Sequence, residues 1–90
     1  MSTMDIKIFG YKWLNETFFF IYQHGPVRFN FIKNGLPGIT SKQLSIALMI
    51  LIDEKLIVKN ESKQSTIPTF YDTTSRGDEL IKLLIKIRRL

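Results

Sequence analysis

The sequence contains no cysteine and only one histidine, His24. The first absence excludes disulfides, thiolate redox sensing and the common zinc motifs. The second, with carboxylates scattered along the chain, leaves no metal-ligand spacing. Proline is scarce at three residues and glycine at five, so the 90 residues hold few breaks and no low-complexity stretch or repeat. Long apolar runs are missing as well: Phe18–Tyr22 and Leu44–Ile52 fall well below the roughly 18 residues that mark a membrane span. Met1 to Lys7 is polar and no cleavage-like segment follows, so no secretory signal is expected. No nucleophile–base pairing, phosphate loop or carboxylate cluster is identifiable, so neither enzyme activity nor a cofactor is expected. Acidic residues are outnumbered, eight against thirteen lysines and arginines, for a formal charge of +5. A soluble, cytoplasmic protein with an anionic partner is the expectation that these absences leave.

What is present is the composition of one small globular domain, 44% hydrophobic and 23% charged, spanning residues 1–90 with 1–5 flexible. A chain this short buries a smaller share of its surface than a large one, and burial against a partner would help it.

Ile8 to Gln23 reads as a first helix. Trp13, Leu14, Phe18 and Ile21 follow helical spacing, while Phe19, Phe20 and Tyr22 add apolar surface on other sides. His24-Gly25-Pro26 stops it, since Gly suits a left-handed cap, Pro cannot continue the ladder, and a cation suits a helix C-terminus. Val27 to Leu36 reads as an extended entry and a short helix with Phe29, Ile32 and Leu36 inward and Arg28 and Lys33 outward. Pro37-Gly38 is a turn.

A third helix, about Thr40–Asp53, begins with side chains that face water and continues into ones that cannot. Thr40-x-x-Gln43 fits a capping box. Projection at about 100° per residue places Leu44, Ala47, Leu48 and Leu51 on one face, which must be core. Lys42, Ile46, Met49 and Asp53 lie opposite, with Ser41 and Ser45 along one flank. A polar start to such a helix is explained if it touches something polar outside the protein.

Leu56–Lys59 and Ile67–Tyr71 are β-prone segments around a polar loop, Asn60–Thr66, that carries Lys63 and Gln64; Pro68 suits an edge strand. Thr74 or Ser75 can cap a last helix running to Leu90. Leu80, Ile81, Leu83, Leu84, Ile85, Ile87 and Leu90 exceed one core stripe there, and Lys82, Lys86, Arg88 and Arg89 fill the remaining face. The expected fold is mainly α with a small β-hairpin, in the order helix-helix-helix-hairpin-helix. That is a winged helix-turn-helix, a motif whose second turn-linked helix enters the DNA major groove by its N-terminal residues.

Several short motifs occur in order: Lys12-Trp13, "GPVRFN" at Gly25–Asn30, "LPGI" at Leu36–Ile39, "LIV" at Leu56–Val58 and "YDTTSRG" at Tyr71–Gly77. From Lys12 to the C-terminus the chain resembles HxlR-type winged-helix transcriptional regulators, which read K-W, G-P-x-R-F-N, L-P-G-I-S, G-L-V and Y-x-L-T-x-x-G. The resemblance implies a homodimer on double-stranded operator DNA, with the first and last helices forming the dimer interface. The surplus apolar residues on those two helices agree, and Trp13, Phe20, Leu80, Leu84 and Ile87 are the candidates. By the same resemblance Ser41, Lys42, Gln43 and Ser45 would meet the major groove and Arg28 a phosphate. Lys63 and Gln64 would sit on a wing at about Glu61–Ile67, with Lys33 as a further phosphate candidate. The chain departs from the family in carrying Ile46, Ala47, Met49 and Ile50 where polar residues are common, and in lacking the Cys by which some members sense oxidants. A winged helix serving as a protein-interaction or assembly module is the alternative that those apolar residues support. No effector ligand is indicated.

Overall fold

The computed structural model describes residues 3–61 and 69–88. The order is α1 (Thr3–His24), α2 (Phe29–Gly35), α3 (Ser41–Asp53), β1 (Ile57–Asn60), β2 (Phe70–Thr73) and α4 (Ser75–Arg88). The two strands form one antiparallel sheet in which Ile57 faces Thr73 and Asn60 faces Phe70. This is the expected helix-helix-helix-hairpin-helix arrangement.

Element ends differ from expectation at the start of α1 and in the hairpin. Helix α1 begins at Thr3 rather than Ile8 and, as expected, runs on through Gly10, since a single interior glycine costs only about 1 kcal/mol. It closes as expected, with Gly25 at φ +72° donating its N–H to the Ile21 carbonyl at 3.0 Å. Strand β1 is shifted one residue forward, and β2, Phe70–Thr73, runs past the expected end at Tyr71, while Ile67 and Pro68 of the expected segment lie outside the described residues. The reason lies in Tyr71, which exchanges two backbone hydrogen bonds with Val27, at 2.9 and 2.8 Å, while its other edge pairs with Lys59. Val27 thus adds a short third edge to the hairpin, and this tie to the end of α1 fixes where β2 lies.

The core is a single cluster of Phe18, Ile21, Val27, Ile32, Ile39, Leu44, Leu48, Leu51, Ile57, Tyr71 and Ile81. Every element described contributes to it. Leu44, Ala47, Leu48 and Leu51 are buried, as the helical projection requires. Ile39 precedes the cap of α3 and Leu44 follows it by four positions. Both are buried in the same cluster, a hydrophobic staple that fixes the angle at which the turn enters the helix.

At its far end α3 stops in a Schellman arrangement. Leu56 donates its N–H to the Leu51 carbonyl and Lys55 to that of Ile52, both at 2.9 Å. The position requiring a left-handed conformation is Lys55, at φ 60°, where glycine is usual.

The "YDTTSRG" segment has a direct physical reading. Thr74 donates its backbone N–H to the Leu56 carbonyl at 3.1 Å, and its hydroxyl accepts from the Gly77 N–H at 3.0 Å, capping α4. Gly77 lies against the Leu56 carbonyl so closely that a Cβ would collide with it. The cap and the missing side chain together bring the start of α4 onto the end of α3.

Candidate nucleic-acid interface

The first turn of α3 is held by the expected capping box. Gln43 N–H donates to Thr40 Oγ1 at 3.1 Å, and Thr40 N–H donates to Gln43 Oε1 at 2.9 Å. Two backbone donors that a helix start leaves unpaired are thereby satisfied, and Gln43 is committed through its carbonyl oxygen while its amide protons are left to donate elsewhere. Ser41, Lys42 and Ser45 are exposed beside it. Four of the sequence candidates therefore share one helix start, on a rigid turn whose inward side is anchored by Ile39 and Leu44.

Farther along α3, Ser45, Met49, Ile52 and Asp53 line a crevice shared with Lys59 and Tyr71 of the hairpin and with Phe29 of α2. Lys59 was not among the sequence candidates. Its position depends on the hairpin folding back beside α3, and the only local signal was its place in a β-prone run. Lys59 Nζ lies 2.9 Å from Glu61 Oε1. That hydrogen bond, then the electrostatic influence of the nearby Tyr71 phenol and the Glu61 carboxylate, holds the ammonium above its ordinary pKa. Lys59 is therefore charged throughout the neutral range.

Arg28 is exposed at the N-cap of α2, where its side chain makes no capping bond, and Lys33 is half-exposed in the last turn. Arg28 lines a separate cleft with His24, Phe31, Asn34 and Phe70. Phe29 borders both this cleft and the α3 crevice. In the same region Phe20, His24 and Phe31 form a three-ring cluster, with centroids 4.2 to 5.7 Å apart. Lys63 and Gln64, with most of the expected wing at Glu61–Ile67, lie outside the described residues.

The candidates on α1 and α4 divide in two. Trp13 and Leu80 are half-buried against the domain's own core. The Trp13 ring edge reaches the turn before α3, where a Cβ on Gly38 would lie 3.8 Å from Cη2. Leu84 and Ile87 line a groove with Phe20, which also packs on the core, and with Phe19, Leu36, Glu16 and Arg88. Arg88 sits over the Phe19 ring at 5.9 Å. Ile87 is 64% exposed and Leu83 57%, on a helix whose inward face needs only Ile81 fully buried. Among the described residues no helix is long and apolar enough to cross a membrane, and no three His, Cys, Asp or Glu side chains group as a metal site would require.

Solved structures share this architecture. The reduced form of the transcriptional regulator YodB from B. subtilis aligns with a TM-score of 0.80 at 20% identity, covering 99% of this chain and 89% of that one. The redox regulator HypR in its reduced form aligns with a TM-score of 0.77 at 22% identity, over 96% and 84% of the two chains. A protein of Thermoplasma volcanium GSS1, described as a possible HxlR family transcriptional factor, gives 0.70 at 23%, over 99% and 77%. At these identities the likeness is one of fold. No curated protein matches the sequence. The sequence model of the HxlR-like helix-turn-helix family matches residues 8–90, which includes the capped α3 start, the hairpin and the apolar last helix. The chain belongs to the HxlR-like helix-turn-helix family, a winged-helix family of DNA-binding transcription regulators.

Proposed function

We propose that this chain is a homodimeric, sequence-specific regulator of transcription that places α3 in the major groove of double-stranded DNA. The observation that carries the reading is the capped start of α3, where Ser41, Lys42 and Ser45 face outward on a helix whose opposite face, Leu44, Ala47, Leu48 and Leu51, is buried in the core. Such a start offers hydrogen-bonding groups and a cation to a groove floor, as the second helix of a helix-turn-helix does. Arg28, Lys33 and Lys42 would meet phosphates, with Lys63 and Gln64 doing so from the wing. The groove formed by Phe19, Phe20, Leu84 and Ile87 would receive the same surface of a second copy. A family assignment and a net charge of +5 support an anionic partner but leave sequence preference and symmetry to experiment.

Selection of bound duplexes from a random pool tests this directly. The expected result is a two-fold symmetric motif. Phosphate candidates in each copy are Arg28, Lys33, Lys42 and Lys63, so a dimer would neutralise up to about eight charges. The log–log salt slope should then be no steeper than about −7. An unselected pool with a slope near zero would instead favour a protein-interaction module, the reading that the 59% exposure of Met49 and 53% exposure of Phe31 support.

A further inference from the structure

Met49 is the one large apolar side chain left open on the outward row of α3, at 59% exposure, while Ile46, Ile50 and Ile52 on the same helix are partly covered. It lies seven residues beyond Lys42 and four beyond Ser45, so that at about 100° and 1.5 Å per residue it stands within about 20° of Lys42 and about 10 Å farther along the helix. That distance matches about three base-pair steps of roughly 3.4 Å. The charges along the row give it a direction, with Lys42 at the start and Asp53 at the end, where a phosphate would be repelled. Met49 therefore sits inside the stretch bounded by these two, next to Ser45 and beside the crevice that Lys59 shares.

We infer that Met49 is a specificity-determining contact that selects thymine by covering its C5-methyl group. A groove floor offers donors and acceptors at nearly every base edge, and a thioether has little to give them. The thymine methyl is the apolar exception in the major groove, and an apolar side chain placed against it discriminates without a hydrogen bond. Ser45 on the flank would hydrogen-bond an adjacent base edge, so the row reads a polar group and then a methyl. The inference rests on the proposed entry of α3 into the groove, and it names which base that entry prefers at one position.

The test uses the full-length protein and the duplex motif selected from a random pool. Each thymine is replaced singly by deoxyuridine, which removes the C5-methyl and leaves every hydrogen-bonding group unchanged. The wild type should bind about fourfold more weakly at one such position, the equivalent of ~0.8 kcal/mol for one buried methyl. Met49→Ala should be indifferent to that replacement, and Met49→Leu should restore the discrimination. Met49→Gln should shift the preference at that position toward adenine, whose N6 and N7 fit the Gln amide. Circular dichroism of the variants, all at an exposed position, confirms that each is folded. A selected motif in which no uracil replacement weakens wild-type binding would overturn the inference while leaving groove binding intact. So would an unchanged uracil penalty in Met49→Ala. Failure of the wild type to select any motif would overturn both this inference and the reading on which it rests.

Discussion

The start of α3 presents Ser41, Lys42 and Ser45, with Met49 exposed farther along; the groove of α1 and α4 is lined by Phe19, Phe20, Leu84 and Ile87. Both sets lie on helices whose inward faces join the same core, but Phe19 and Phe20 also pack partly on that core, whereas Ser41, Lys42 and Ser45 are exposed. They differ in what would satisfy them. Hydroxyls and an ammonium lose little by facing water and gain when an anion or base edge replaces it. Apolar rings and branched chains gain only when water is removed, and a small domain cannot remove it alone. On the proposed reading one surface would meet a charged polymer and the other a copy of the chain, both carried by helices that share the buried Ile21, Leu44 and Ile81.

Because the core serves both surfaces, damage to it should remove both together. Leu44→Ala, at a fully buried site, should cost about 2–5 kcal/mol and lower the thermal midpoint, with DNA binding and self-association lost in parallel. Loss of one property without the other, in a folded variant, would show that the surfaces are not coupled through this core.

Charge placed in the groove should separate them. Leu84→Lys should weaken self-association by about 2 kcal/mol or more, as truncation or replacement at an interface centre does, and sedimentation would read it as a shift to monomer. Monomeric wild type at micromolar concentration would remove the α1–α4 interface from the account. Thermal stability of the isolated domain should change far less, because Leu84 is only half-buried.

Changes on the polar surface should leave association intact and divide by target. Ser45→Ala should cost about 1–3 kcal/mol on the selected duplex and relax one base pair. Lys63→Ala should weaken all duplexes about equally and flatten the salt dependence, since phosphates carry no sequence information. Equal losses on selected and random DNA for both variants would contradict the assignment of α3 as the reading helix.

The smallest expected change concerns Lys59, whose ammonium is held by Glu61 at 2.9 Å. Glu61→Gln should remove a negative charge from the base of the hairpin and release Lys59 toward phosphate. DNA affinity should rise slightly at low salt, the gain disappearing as salt screens exposed charges. Urea unfolding should be nearly unchanged, because exposed pairs contribute little to stability. A fall in affinity would mean that Glu61 positions Lys59 instead of restraining it.

What could be read from the residues and what could not follows the range of the forces involved. The α3 cap was visible because Thr40 and Gln43 are three residues apart, and the core stripe because Leu44, Ala47, Leu48 and Leu51 obey one helical period. The stop after α1 was equally local, in His24-Gly25-Pro26. The end of strand β2 lies beyond the expected Tyr71 because its position depends on Tyr71 pairing with Val27, which lies far away in sequence. Lys59 was missed for the same reason, since only the folded hairpin brings it to the crevice with Ser45 and Met49. Among the apolar candidates, spacing alone did not separate Trp13 and Leu80, which pack on the domain's own core, from Leu84 and Ile87, which line an open groove.

The two surfaces meet in one proposed geometry: pairing through α1 and α4 would set two copies of α3 into successive major grooves on one side of the duplex. Half-sites read by such dimers lie about 10 base pairs apart or a multiple of it. The direct measurement is the affinity of the wild-type protein for its selected duplex and for the same duplex with about 5 base pairs inserted between the half-sites, which turns one of them to the opposite side. A sharp loss on that insertion, largely recovered when the insertion is lengthened to about 10 base pairs, is the predicted result. An affinity indifferent to the insertion would contradict the paired, two-groove arrangement, even with binding of each half-site preserved.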